Sequence, residues 1–357
     1  MATKNKRRSL IVAIICLAAA IPTIIMPAVT ATVYEVIFST RYETQSWLKF
    51  SASDYEGLSV KRSDFISNGI TLAGYKYSKA GQAKGVVVLS HGMGGGGHNS
   101  YMPIIDVFAS NGYFVFAYDA RGNDNSQGNS VEGLPQGLID LDNALNHVSI
   151  DNEYKNLPIA LIGHSWGGYS VANVLEFHPE VKAAVIVAGF NESEDLLEYQ
   201  GEAVSGMSSA PAMPYLKLYE RIKFGKKYTK TTALNSMSAS SAGIMVIHSK
   251  DDATVPTKYG YDKFYEAFAD DDRFDFVLYK NRGHDYLLYS DASREYRNKL
   301  NEDYKNYVES SGKEYSDKTK SEFMAKNLDK KKCFEPDKEL MERILGLYDK
   351  YCIAENK

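Results

Sequence analysis

Between residues 57 and 290, short apolar runs alternate with stretches in which apolar positions recur every three or four residues. The runs "GVVVLS", "YFVFAYD", "PIALIG", "VKAAVIVAG", "IMVIHS" and "FDFVLYK" are largely apolar throughout, the pattern of strands covered on both faces. Between them, "SYMPIIDVFAS" and "LPQGLIDLDNALNHV" carry helical spacing. The pattern predicts an α/β domain, with helices on both faces of a mainly parallel sheet. Ahead of these runs, "GLSVKRSDFIS" and "ITLAGYKYS" read as extended segments joined at Asn68-Gly69, a strong hairpin signal. An antiparallel pair therefore opens the domain.

Three regions break the alternation. Residues 191–242 are too long for an ordinary crossover and mix Met207, Met213, Met237, Tyr215 and Tyr219 with small residues, which suggests a cap inserted over the end of the sheet. The charged stretch from Asp291 to Lys332 reads as solvated helix and loop. The final run, 336–352, puts Leu340, Met341, Ile344, Leu345 and Tyr348 on one helical face behind Pro336 as a first-turn residue, so it is expected to pack back on the sheet. The first 38 residues differ in kind. Lys4, Lys6, Arg7 and Arg8 precede an uncharged run from Leu10 to Val33, and about 20 apolar residues suffice to span a bilayer core. That length predicts a single-pass anchor at the cell membrane, with the basic flank cytoplasmic and the remainder, 57–357, outside. A removable signal peptide is the alternative, because Pro22 and Pro27 weaken the helix and Val29-Thr30-Ala31 resembles a cleavage site. In the alternative the protein is secreted. Residues 39–56 then form a juxtamembrane connector without evident chemistry.

With 357 residues, 44% of them hydrophobic, the chain can bury a sizeable core. Its net charge of −4 supplies no basic field, so no nucleic-acid partner is expected. Cys16, Cys333 and Cys352 form no Cys-x-x-Cys pair and have no histidine at ligand spacing, so no metal or other cofactor is signalled. A bridge between Cys333 and Cys352 stays open for an exported chain.

"LIGHSWGGYS" contains Gly163-His164-Ser165-Trp166-Gly167, the G-x-S-x-G of a nucleophile elbow, with a strand before it and helical spacing after it. A serine hydroxyl needs a base, and the base an orienting acid, both later in the chain in this arrangement. His178 falls at the end of the elbow helix and His248 inside a strand that precedes any plausible acid, which leaves His284 in the loop after the last strand. Asp251 and Asp252 are the candidate acids, with Asp252 preferred because the turn "ATVP" would aim it at the histidine loop. Upstream, Gly92, Gly94 and Gly97 fill the pattern G-x-G-x-x-G, the outline of a dinucleotide site with Asp119 at the matching distance. That reading requires the motif to open the first βαβ unit, whereas here a hairpin precedes it.

The ordered set "SHGMGGGGH", "DARGNDNS", "GHSWGG", "DDATVP" and "RGH" resembles the α/β-hydrolase superfamily, in its monoacylglycerol-lipase-like and serine-aminopeptidase-like branch. The resemblance covers roughly residues 57–290 and the last helix. It implies an eight-stranded sheet, Ser165 as nucleophile with Asp252 and His284, and an oxyanion hole from the N–H groups of Met93 and Trp166. It departs at Asp124, where the related pattern R-G-x-G-x-S has glycine. The expected substrate is a small carboxylic ester or lipid-like ester, such as a lysophospholipid or monoacylglycerol. The alternative is a short peptide, whose amine would call for acids such as Glu192, Glu194, Asp195 or Glu198.

Overall fold

The apolar runs assemble into one sheet. The structure is a computed structural model that describes residues 5–12, 20–81, 83–94 and 96–353. Strands β1 (Ser59–Arg62), β2 (Phe65–Ser67), β3 (Ile70–Leu72) and β4 (Gly74–Ser78) precede β5 (Gly85–Ser90), β6 (Tyr113–Tyr118) and β7 (Ile159–His164). Strands β8 (Val181–Val187), β9 (Gly243–Ser249) and β10 (Phe274–Tyr279) complete the set. The eight-stranded sheet has the order β1-β4-β6-β5-β7-β8-β9-β10. β1 and β4 run antiparallel at one edge, and β5 to β10 are parallel. β5 and β9 are buried at every position, which is why they read as unbroken apolar runs. The predicted hairpin is β2–β3, whose turn holds Asn68 and Gly69 both at positive φ (46° and 80°), as a tight two-residue connection requires.

Helices cover both faces. The helix Lys338–Cys352 buries Leu340, Met341, Ile344 and Tyr348 against the sheet, and Tyr348 donates to the carbonyl of Leu161 (2.9 Å). Its cap is Asp337, which accepts from the N–H of Leu340, so Pro336 stands just ahead of the helix and not in its first turn. Residues 191–242 form helices Ser193–Ser205, Met213–Phe224, Lys226–Lys230 and Ala233–Ala239. Met237 is buried, Met213 half-buried and Met207 exposed. The stretch Asp291–Lys332, expected to be solvated, has a small core of its own. Leu300, Tyr304 and Val308 of helix Asp291–Ser311 close on Phe323 and Met324 of helix Asp317–Asn327. Cys333 and Cys352 are both buried thiols.

The N-terminal segment corrects the membrane expectation. Among the described residues, no helix is long and apolar enough to cross a membrane, so neither the single-pass anchor nor the placement derived from it stands. The centre of the apolar run, residues 13–19 with Cys16, lies outside the described residues. Its C-terminal part, helix Met26–Ile37, uses one side for protein contacts: Tyr34 and the following Phe38 are buried in one cluster with Leu216 and Phe224 of helix Met213–Phe224. The Tyr34 hydroxyl donates to Glu220 (2.8 Å), and Glu35 receives both Tyr219 and Lys223. Mean hydropathy along the run registers the exposed valines and isoleucines but misses these partners, which come from nearly two hundred residues away.

Glu220 titrates in this joint. Burial pushes its carboxyl up to about 7, opposed by hydrogen bonds from Ser193 and Tyr34. An acid whose pKa rises on folding holds its proton more tightly in the native state, so stability is greatest below the ordinary value of 4.5 and declines as pH rises through about 7. Glu220→Gln, which keeps both hydrogen-bonding partners, is expected to stabilise the fold by on the order of 1 kcal/mol near pH 8 and to change little below about pH 5. Thermal melts across that range check it. A variant less stable than the parent near pH 8 would show that the ionised carboxylate is the form the joint was built for.

Candidate active site

The site begins at a backbone strain. Ser165 sits between β7 and the elbow helix Trp166–Val174 at φ 56°, ψ −114°, a conformation a non-glycine residue holds only when its surroundings enforce it. Its N–H is fixed by the carbonyl of Val187 (2.8 Å) and its carbonyl by the N–H of Tyr169 (2.8 Å). The tight turn explains the glycines of G-x-S-x-G. A Cβ on Gly163 would lie 2.2 Å from the carbonyl oxygen of Gly167, and one on Gly167 would lie 2.0 Å from that of Ser90.

The structure brings Ser165, His284 and Asp252 together. The Ser165 hydroxyl lies 2.8 Å from His284 Nε2, and His284 Nδ1 lies 2.7 Å from Asp252 Oδ2. The other Asp252 oxygen accepts from the N–H groups of Thr254 and Val255, each at 2.9 Å, the turn that favours this aspartate. Burial alone would raise the Asp252 carboxyl. The hydrogen bonds from His248 and His284 outweigh it and hold the group well below the usual carboxylate range. Asp251 is turned to other work, accepting from Ser249 Oγ and from the N–H of Gly283 (2.9 Å).

Two further histidines support this row. The Nε2–H of His248 donates to the carbonyl of Val255 (2.8 Å) and stands 3.3 Å from Asp252. His164 bridges the carbonyl of His284 (2.9 Å) and the hydroxyl of Tyr101 (2.8 Å), which also accepts from the N–H of Gly92 (3.3 Å). Burial, with the neighbouring His284, pushes His164 down to about 4, so at neutral pH it is an uncharged strut between the glycine loop and the histidine loop. Only the strand-end position of His248 and the elbow position of His164 could have marked them in the sequence.

Met93 lines the cavity beside Gly92, and Trp166 is the first residue of the elbow helix, where backbone N–H groups have no acceptor within the helix. The glycine loop is held from an unforeseen direction. Asp124, at φ 36°, accepts from the N–H (2.8 Å) and hydroxyl of Thr44, and the Thr44 oxygen accepts from the N–H of Gly97 (2.8 Å). A Cβ on Gly97 would meet Asp124 at 2.3 Å, so Gly97 serves close packing. The aspartate that breaks the related pattern thus ties the loop to the segment read as an inert connector. His98 pairs with buried Asp119, the residue that would have held a ribose in the dinucleotide reading.

Ser165 and His284 open on a cavity of about 360 Å³. Its walls come from Gln45, Trp47 and Leu48, from the glycine loop, and from the region 285–334, including Arg297, Lys320, Met324 and Phe334. Among the described residues that line it, none belongs to 191–242. No group of metal-ligating side chains occurs among the described residues.

A mainly parallel eight-stranded sheet with a serine on the sharp turn after β7 defines the α/β-hydrolase fold. The chain has this fold, and part of its sequence is similar to hydrolases. Residues 81–224 match the family model described as serine aminopeptidase, S33. Over 93 residues the chain is 37% identical to caffeoylshikimate esterase of Arabidopsis thaliana, a stretch that is 25% of this chain and 27% of that protein. The match therefore spans about a quarter of that relative. Among solved structures, the esterase Pf2001 of Pyrococcus furiosus shares the fold with a TM-score of 0.52 at 16% identity, over 73% of this chain and 95% of that one. Another crystal form of it gives 0.50 at 18% identity, over 66% and 86%.

Proposed function

We propose that the protein is a serine hydrolase that cleaves a carboxylic ester through an acyl-enzyme. The hydrogen-bonded row Ser165–His284–Asp252, opening directly on a cavity, carries this reading. Ser165 Oγ attacks the ester carbonyl carbon as its proton passes to His284 Nε2, and Asp252 stabilises the imidazolium so formed. The oxyanion faces the N–H groups of Met93 and Trp166. Collapse breaks the ester C–O bond, and the leaving alcohol takes the proton from His284. Water, deprotonated by His284, then attacks the acyl carbon, releasing the acid and restoring Ser165.

The family model's description favours a second reading, cleavage of a short peptide from its N-terminus. A free amine needs an acidic receptor, and the acids expected to supply one are placed elsewhere. Glu194 faces Lys217, Asp195 pairs with Lys263, and none of Glu192, Glu194, Asp195 and Glu198 lines the cavity. Hydrolysis of short-chain p-nitrophenyl esters is therefore expected to exceed that of aminoacyl-anilides by about a hundredfold or more in kcat/KM. Faster turnover of the anilides would reverse the choice.

A further inference from the structure

Resting on the ester-hydrolase reading, we propose that the cavity takes esters that bear an anionic oxygen group, carboxylate or phosphate, bound by Arg297 and Lys320. Both side chains line the same cavity as Ser165 and both are partly buried. Each head group rests on aromatic rings. The Arg297 guanidinium carbon lies 4.3 Å from the ring centre of Tyr286 and 5.2 Å from that of Phe334, while Lys320 Nζ lies 5.3 Å from that of Trp47. Among the described residues, neither makes a salt bridge to a carboxylate, although buried cations elsewhere in the fold do. Arg282 has Asp337 and Lys76 has Asp151.

Stacking fixes the position of a cationic head and strips part of its water without cancelling its charge, so the charge stays available to an incoming anion. A planar guanidinium and a flexible ammonium lining one cavity suit a group with two or three acceptor oxygens. The acid in the lining, Asp285, follows the triad histidine directly; its charge acts on His164 and on Tyr286, and among the described residues it makes no salt bridge to either cation. Gln45 and Asn301 add neutral amides, and Trp47, Leu300 and Met324 an apolar wall, so the remainder of the substrate can be carbon. In the reaction, water is consumed and one ester C–O bond breaks. The anionic group leaves unchanged on one of the two products.

The test compares matched esters on the full chain: p-nitrophenyl hemiglutarate against p-nitrophenyl pentanoate, and a monoacylglycerol phosphate against the corresponding monoacylglycerol. Anionic members are expected to be favoured by about tenfold or more in kcat/KM, chiefly through KM, and the preference is expected to shrink between about 0.02 and 0.5 M salt. The two pairs tell a carboxylate from a phosphate. Arg297→Gln and Lys320→Gln should each lower the anionic-to-neutral ratio about fivefold, with Arg297→Lys retaining part of it. If a variant fails to fold, the salt dependence of the unmodified protein still tests the charge attraction. A ratio near one in both pairs, or a ratio that neither substitution lowers, overturns the proposal while leaving ester hydrolysis standing. Absence of turnover for every ester, with no labelling by a fluorophosphonate, overturns the ester reading beneath it.

Discussion

Ser165→Ala is expected to lower kcat/KM for the best ester by about a millionfold, down to the residual acceleration that binding and oxyanion stabilisation supply by themselves. The substitution removes one oxygen atom and leaves the scaffold intact. Alanine has the same Cβ as serine, and the strained turn is imposed from outside the residue, by the Val187 carbonyl on its N–H and by glycines that admit no side chain. Its melting temperature should therefore stay close to the parent's. Loss of activity with loss of fold would say little, whereas loss of activity at unchanged stability isolates the nucleophile. A fluorophosphonate, which phosphonylates an activated serine, should label the parent at one site and leave Ser165→Ala unlabelled. Equal labelling of both proteins, or turnover by the variant within a factor of ten, would move the chemistry to another residue.

What the sequence discloses of this site follows from how local each constraint is. The elbow is legible because its demands fall within five consecutive residues, and the strand before it is buried on both faces. That His284 and Asp252 lie beside Ser165 could be expected from less: few histidines follow Ser165, and the turn after Asp252 favours it over Asp251. The supporting contacts are different. Thr44 meets Asp124 across 80 residues and Tyr34 meets Glu220 across 186, and no local pattern announces either pairing. In each case a polar side chain in an unremarkable segment finds its partner only when the chain closes. The region 291–332 is obscured for another reason. Leu300, Tyr304 and Val308 recur at the helical interval, but the charged residues between them dominate the composition, so a thin buried stripe reads as solvated surface. The cavity wall that carries Arg297 and Lys320 is hidden with it. At the N-terminus the opposite error operates. Length and hydropathy describe a membrane segment well, yet docking on Glu220 and Lys223 decides what helix Met26–Ile37 does.

The second large effect is expected at Asp252. Asp252→Asn should reduce kcat by about ten-thousandfold while leaving the fold and KM nearly unchanged, because it alters which nitrogen of His284 carries the proton. In the parent, the carboxylate accepts from Nδ1, so Nε2 has a free lone pair facing the Ser165 hydroxyl. With asparagine, the N–H groups of Thr254 and Val255 require an acceptor at the Oδ1 position, so the amide oxygen takes that place and the amide nitrogen turns toward His284. A donor now faces Nδ1, and the imidazole proton shifts to Nε2, where it opposes the serine hydroxyl. The base is lost although every heavy atom stays in place. Asp251→Asn provides the contrast, since Asp251 holds Ser249 and the N–H of Gly283 and touches neither the imidazole nor the serine. Its effect is expected to stay within about tenfold, arising from a looser histidine loop. If Asp251→Asn proves the more damaging of the two at equal stability, the orienting acid is Asp251 and the hydrogen bond between Asp252 and His284 is not the one used in turnover.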